Sequence, residues 1–300
     1  MKRRDFIKAT AAASVLGMGA LTACGRGNKR LFKISLAEWS LYRSLFSGTV
    51  DHLDLAKIAK ETFQIEGIEY VNQFFMDKAE DKSYLGEMHK RCTDYGVQSV
   101  LIMCDNEGRI GDPSDAARIQ AVENHYKWVQ AAQFLGCHSI RVNAYSQGGP
   151  DEQQKLVADG LHRLCEYADD YDINILVENH GGLSSNGKWL SAVMKMVDHP
   201  RIGTLPDFGN FRLGKDEWYD RYQGVKELMP FAKGVSAKSS EFDADGEEIR
   251  TDYLRMMKIV LDAGYHGFVG IEYSGPTLPE MEGIAATKKL LERVHETLVG

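Results

Sequence analysis

From Phe32 onward the chain alternates short apolar runs with amphipathic stretches, and this alternation restricts the fold more than any other feature. The runs lie near 33–39 (KISLAEW), 65–71 (IEGIEYV), 97–104 (VQSVLIMC) and 138–144 (HSIRVNA). Four more follow near 173–178 (INILVE), 202–207 (IGTLPD), 232–238 (AKGVSAK) and 267–272 (GFVGIE). Runs this apolar suit strands covered on both faces, as in a parallel sheet. The stretches between them carry apolar residues at three- and four-residue spacing, for example Ile119, Val122, Tyr126 and Val129, which predicts helices. Gly96, Gly136 and Gly264 stand where those helices would be capped. Asp112-Pro113-Ser114-Asp115 reads as a helix start with proline near the first turn. Eight strand–helix pairs predict one (β/α)8 TIM barrel over residues 32–300, with no second domain. The rival is an open doubly wound sheet, but no GxGxxG follows the first run and no P-loop occurs.

The first thirty residues stand apart from that pattern. Lys2-Arg3-Arg4 opens a basic start, and an uncharged Ala/Gly/Leu-rich stretch runs from Ala9 to Ala23, too short to span a bilayer as a helix. The segment 1–23 is similar to a twin-arginine export signal. Leu21-Thr22-Ala23-Cys24 resembles a lipobox, in which Cys24 is lipidated after cleavage and residues 24–31 become a flexible tether. The expectation is a periplasmic protein whose contact with the membrane is that lipidated Cys24. The formal charge of −7 falls to −10 without residues 1–23, which hold four Lys/Arg and one Asp. Such a surface disfavours nucleic acid as a partner. Cys92, Cys104, Cys137 and Cys165 form no CxxC pair and fall inside predicted elements, so buried free thiols are expected.

In a barrel of this kind, catalytic groups sit where strands end and the next loops begin. Glu178, Asp207 and Glu272 each close a predicted strand, about one and two βα units apart. A carboxylate at the end of an apolar strand is costly unless a cation faces it, so three converging strand ends predict a shared metal ion. Of the nine histidines, His138 and His266 open strands and six others fall on helices or their ends. His180 alone lies just past a strand end, two residues after Glu178.

Val177-Glu178-Asn179-His180, Asp207-Phe208-Gly209-Asn210, Gly270-Ile271-Glu272-Tyr273 and Gly67-Ile68-Glu69-Tyr70 resemble the xylose-isomerase-like barrel superfamily. It includes sugar epimerases, hydroxypyruvate isomerases and inosose dehydratases. The resemblance implies a divalent cation held by Glu178, Asp207 and Glu272: Mn²⁺, Mg²⁺ or Co²⁺, with Zn²⁺ as an alternative. It also implies a histidine on strand seven, where this chain has Ser236 in Val235-Ser236-Ala237-Lys238-Ser239. A serine hydroxyl is a poorer first-row metal ligand than imidazole, which leaves water, His180 or Glu241 to complete the shell. Glu178 and Glu272 are then the candidate proton-exchanging groups, His180 the second-choice base, and Lys238, on the same strand face as Ser236, an oxyanion stabiliser or an ion-pair partner. Candidate sugar contacts are Glu69, Arg141, Asn143 and Arg212, with Trp39, Phe74, Phe75 and Trp189 as an apolar wall.

The function implied is a metal-dependent isomerase or epimerase that removes a proton beside a carbonyl of a free or oxidised sugar, through an enediolate. A 3-keto-glycoside lyase uses the same first step and then expels the C1 substituent. A non-catalytic sugar-binding lipoprotein is the reading from outside enzymology. A small carbohydrate is the expected partner, and a homo-oligomer is compatible with each reading.

Overall fold

The computed structural model describes residues 30–300; the expected export signal, Cys24 and nearly all of the tether lie outside the described residues. Eight parallel strands follow one another: β1 (Lys33–Ala37), β2 (Gly67–Val71), β3 (Gln98–Met103), β4 (Ser139–Val142), β5 (Asn174–Glu178), β6 (Ile202–Leu205), β7 (Val235–Ser239) and β8 (Phe268–Tyr273). Each overlaps a predicted run. The differences have local causes: Pro206 has no N–H to continue a ladder and ends β6 early, while Pro230 lies in a 3₁₀ turn, Met229–Phe231, that delays β7.

Neighbours pair in sequence order from β1 to β6, and β1 pairs with β8, which pairs with β7. The remaining seam, β6 to β7, is closed by two isolated parallel bridges, Thr204 with Ala232 and Asp207 with Ser236. At the second bridge the Ser236 N–H donates to the Pro206 carbonyl at 2.9 Å, and the Phe208 N–H donates to the Ser236 carbonyl at 3.1 Å. The barrel therefore closes on two of the residues that the sequence placed at the metal site.

Helices pack around the outside and bury the larger apolar cluster against the sheet. Asp81, Ser114, Asn186, Asp220 and Asp252 cap helix starts by accepting backbone N–H bonds, each worth about 1 kcal/mol. Ser114 is the cap that the sequence suggested, and Pro113 precedes it rather than entering the first turn. Gly96 and Gly136 close their helices in the left-handed conformation, as expected.

A smaller apolar cluster, which includes Ala37, Val71, Leu101, Met103, Leu176 and Leu205, fills the barrel interior. Into it projects Glu69, 1% exposed, which accepts from the Ser35 hydroxyl at 2.6 Å. A Cβ at Gly270 would lie 2.4 Å from a Glu69 oxygen, so the glycine on β8 makes room for that carboxyl. Cys92, Cys104, Cys137 and Cys165 are free and buried. Among the described residues no helix is long and apolar enough to cross a membrane.

Candidate active site

Glu178 ends β5, Glu272 lies one residue before the end of β8, and Asp207 follows β6 at the closing seam. Their alternation with inward apolar neighbours turns all three carboxylates to one point, where a ligand atom from each lies within 4.8 Å of the others. All three are buried. Three carboxylates so close repel one another, and each is compensated differently.

Asp207 Oδ1 accepts the N–H groups of Gly209 and Asn210, both at 2.7 Å, and Oδ2 accepts the Ser236 hydroxyl at 2.8 Å. Ser236 Oγ also stands 3.4 Å from Glu272 Oε2 and so bridges two of the acids. Glu272 pairs with the Lys238 ammonium. Gly209 permits that pairing, since a Cβ there would lie 2.8 Å from Lys238 Cγ. Glu178 Oε1 accepts from Asn210 Nδ2 at 2.9 Å. Its Oε2 lies 2.9 Å from Arg141 Nε, yet neither atom makes a directed hydrogen bond, which leaves a buried lone pair uncommitted.

Burial pushes the Glu178 and Asp207 carboxyls up to about 7 each, against the pull of Arg141 and Lys238 respectively. For Glu272 burial acts the same way, but Lys238 outweighs it and holds the group below the usual carboxylate range. Lys238 itself is shifted upward, because the three acids overcome the cost of its burial.

A cavity of about 210 Å³ opens beside this cluster and is lined by Trp39, Val71, Met103, Arg141, Asn143, His180 and Glu272, among others. Five of the lining residues were singled out from sequence: Trp39, Arg141, Asn143, His180 and Glu272. His180 is presented by a tight turn in which Gly181 and Gly182 both have positive φ, and the His180 and Gly181 N–H groups are held by Ser184 and Ser185. Its Nδ1 lies 3.1 Å from the Tyr145 hydroxyl. Burial, followed by Arg141, lowers its pKa, so the ring is neutral at pH 7.

The structure relocates several other candidates. Glu69 sits mid-strand below the cavity and does not line it; burial pushes its pKa up to about 8 despite the Ser35 bond. Arg212 is exposed and spends its guanidinium on the Gly214 and Lys215 carbonyls of its own loop. Glu241 pairs with Arg250 at 2.8 Å and is outside the acidic group. His180 is likewise outside it, so among the described residues no fourth His, Cys, Asp or Glu joins the triad. Of the four wall candidates only Trp39 lines the cavity. Phe74 packs on Trp39 at 6.1 Å, Phe75 is buried between His52 and Trp128, and Trp189 is tied to the Pro150 carbonyl.

The residue that sequence reading missed is Asp105. It accepts from Arg141 Nη1 at 2.8 Å, Asn143 Nδ2 at 2.7 Å and Gln73 Nε2 at 3.0 Å. Burial would raise its pKa, but Arg141 and these hydrogen bonds hold it well below the usual range. The signal was present: Asp105 follows β3 on the face of Leu101 and Met103, two inward residues of that strand.

Do these residues fit a metal ion? Four carboxylates (Glu178, Asp207, Glu272 and Asp105) face two cations, Arg141 and Lys238, which leaves two negative charges. That is the charge of one divalent cation or of two protons. The uncommitted Oε2 of Glu178 supplies a free lone pair at the same point. The donor set fits, and its all-oxygen character, with Ser236 in place of an imidazole, suits a hard cation such as Mg²⁺ or Mn²⁺.

No curated relative matches the sequence. Solved structures do match in fold. The 3-keto-D-glucoside 4-epimerase from E. coli, in its apo form, superposes with a TM-score of 0.67 at 15% identity, over 87% of this chain and 99% of that one. The IOLI protein, solved with a zinc atom, gives 0.68 at 14%, over 89% and 99%. A magnesium complex of a xylose isomerase-like TIM barrel protein from Mycobacterium smegmatis gives 0.64 at 15%, over 90% and 98%. A family model matches residues 57–294, from the helical segment before β2 into the last helix, and by that match the chain belongs to the xylose isomerase-like TIM barrel family.

Proposed function

We propose that the protein is a divalent-metal-dependent sugar epimerase or isomerase that exchanges a proton on the carbon beside a sugar carbonyl. The observation that carries this is the convergence of Glu178, Asp207 and Glu272 within 4.8 Å at the edge of a small cavity. Glu178, Asp207 and Glu272 would hold the cation, which supplies Lewis-acid polarisation of a carbonyl placed against it. The remaining steps belong to the chain's own groups. Glu178, held by Asn210 through one oxygen and with its other oxygen uncommitted, is the group placed to take up the proton. Glu272, kept ionised by Lys238, is the partner carboxylate for exchange at the other face of the same carbon. Lys238 and Arg141 face the negative charge that grows on the carbonyl oxygen. Arg141 and Asn143, braced by Asp105, orient hydroxyls, and Trp39 takes the C–H face of the ring.

The names of the structural neighbours support proton exchange over expulsion of a C1 substituent, since they include a 3-keto-D-glucoside 4-epimerase and a D-psicose 3-epimerase. We further infer that residues 1–23 direct export and that Cys24 is the lipid anchor, which makes a free or oxidised sugar a better substrate than a phosphorylated one. Incubation in D₂O with ketohexoses and 3-keto-glucosides, metal added, tests the reaction. Deuterium in recovered sugar is the expected result. Release of an aglycone without exchange into recovered sugar selects the lyase, and neither outcome with any sugar overturns the enzyme reading.

A further inference from the structure

Beyond Trp39, outside the cavity mouth, stand aromatic rings that the chemistry above does not use. Trp39 stacks on Tyr42, with ring centroids 5.1 Å apart, and meets Phe46 at 6.2 Å and Phe74 at 6.1 Å. Phe46 and Phe74 are 5.0 Å apart. Trp39 lines the cavity, while Phe46 is 59% exposed, so the group runs without a break from the pocket wall to solvent. An exposed phenylalanine is unremarkable by itself. This one is held in place: Tyr42–Phe46 is a single short helix. The buried Glu280 carboxylate, from the C-terminal helix Glu280–Val299, accepts the Arg43 N–H at 2.7 Å, the Ser44 N–H at 3.1 Å and the Ser44 hydroxyl. Arg43 adds a bond to the Gly275 carbonyl at 3.0 Å and lies over the Tyr42 ring at 5.2 Å. A buried acid thus fixes a turn whose outward product is an aromatic surface.

Size gives that surface a purpose. The cavity, about 210 Å³, is smaller than the roughly 300 Å³ at the low end of sites for drug-sized ligands. That leaves room for a single sugar ring. Anything attached to that ring must leave through the mouth, and on the Trp39 side it meets Phe46 and Phe74.

We propose that Phe46 and Phe74, continuing outward from Trp39, form an outer subsite for a second ring, so that the substrate is a glycoside carrying a ring with an apolar face rather than a monosaccharide. This rests on the sugar-epimerase reading and deepens it. The ring's source, an aromatic aglycone or a second pyranose, shares the same chemistry: a flat apolar or C–H face laid on π faces.

Calorimetric titration of metal-loaded protein with 3-keto-glucose, its phenyl β-glycoside and a 3-keto-disaccharide tests it, in the wild type and in Phe46→Ala. The wild type is expected to bind at least one ring-bearing ligand about tenfold more tightly than 3-keto-glucose, and Phe46→Ala to reduce that ratio to about two or less. Preference for the phenyl form alone assigns an aromatic aglycone, and preference for the disaccharide alone assigns a second sugar. Binding of 3-keto-glucose with no preference, or a preference that survives Phe46→Ala, overturns the subsite and leaves the epimerase reading standing. Loss of an oligomer in Phe46→Ala with the preference intact makes the surface an interface between copies and also overturns it. No binding of any of the three ligands overturns the subsite and leaves the epimerase reading to the D₂O exchange with ketohexoses.

Discussion

The cavity has two walls that solve opposite problems. The wall raised by β1, β2 and β3 presents Trp39, Val71 and Met103, with no charge among these three. Across from it, β5 to β8 carry Glu178, Asp207, Ser236, Lys238 and Glu272, all drawn to one point. Apolar side chains are stable when buried without further help, so the first wall needs only shape. Buried charge survives only with partners, so the second wall is a network in which each acid is answered by a cation, an N–H group or a hydroxyl. Arg141, Asn143 and Asp105 stand between the two. Under the proposed function this difference orients a sugar, with oxygen atoms toward the acids and a C–H face toward Trp39.

The largest way to break this comparison is to remove a proton-exchanging acid while keeping its shape. Glu178→Gln is expected to lower the solvent-exchange rate by roughly 10²–10⁴, with a melting temperature close to wild type. Deuterium uptake by mass spectrometry reads it, and a loss under threefold would remove Glu178 from the chemistry. Ser236→His sharpens the charged wall by supplying the imidazole that the seam lacks. Preference for Zn²⁺ or Co²⁺ over Mg²⁺ should rise by about 10–100-fold in competition titrations, a shift typical of altered metal surroundings. An unchanged ranking would mean that Ser236 is not beside the cation. On the apolar wall, Trp39→Ala should raise KM about tenfold with a smaller change in kcat, since it removes stacking and not a reacting group.

The smallest effect concerns Glu69, an acid buried in the barrel interior below the cavity. Glu69 has its pKa raised from 4.5 to about 8, chiefly by burial. The folded state therefore holds a proton that the unfolded chain releases, and the stability this contributes is complete below pH 4.5 and lost as pH rises through about 8. Glu69→Gln should flatten the alkaline decline in melting temperature between pH 5 and pH 9. A decline as steep as wild type would show that Glu69 is not the group responsible.

The two walls were not equally readable from sequence. All eight strands were legible, because a two-sided buried strand leaves a run of apolar residues with few alternatives; β5 ends on Glu178 as expected, and β8 runs one residue past Glu272. The charged wall was legible for the same reason: an acid after VLIV-type residues, as in Ile175-Leu176-Val177-Glu178, is anomalous. Asp105 has the same signature after Ile102-Met103-Cys104, but its meaning comes from Arg141 and Gln73, which reach it from β4 and from the turn after β2. The apolar wall was poorly legible. Phe74 and Phe75 are adjacent, yet the 3₁₀ turn Asn72–Phe74 sends one toward Trp39 and the other into the core beside His52. Arg212 looked like a ligand because it follows Asp207-Phe208-Gly209-Asn210, and nothing in that spacing shows that its guanidinium folds back onto its own loop.

The central claim is that the charged wall lacks two positive charges which one divalent cation provides. Titration of metal-stripped protein with Mn²⁺, followed by electron paramagnetic resonance, measures this directly in the wild type and in Asp207→Asn. The account predicts one Mn²⁺ per chain for the wild type and at least a hundredfold weaker binding for the variant. A wild type that binds none, or a variant that binds one with equal affinity, would contradict it.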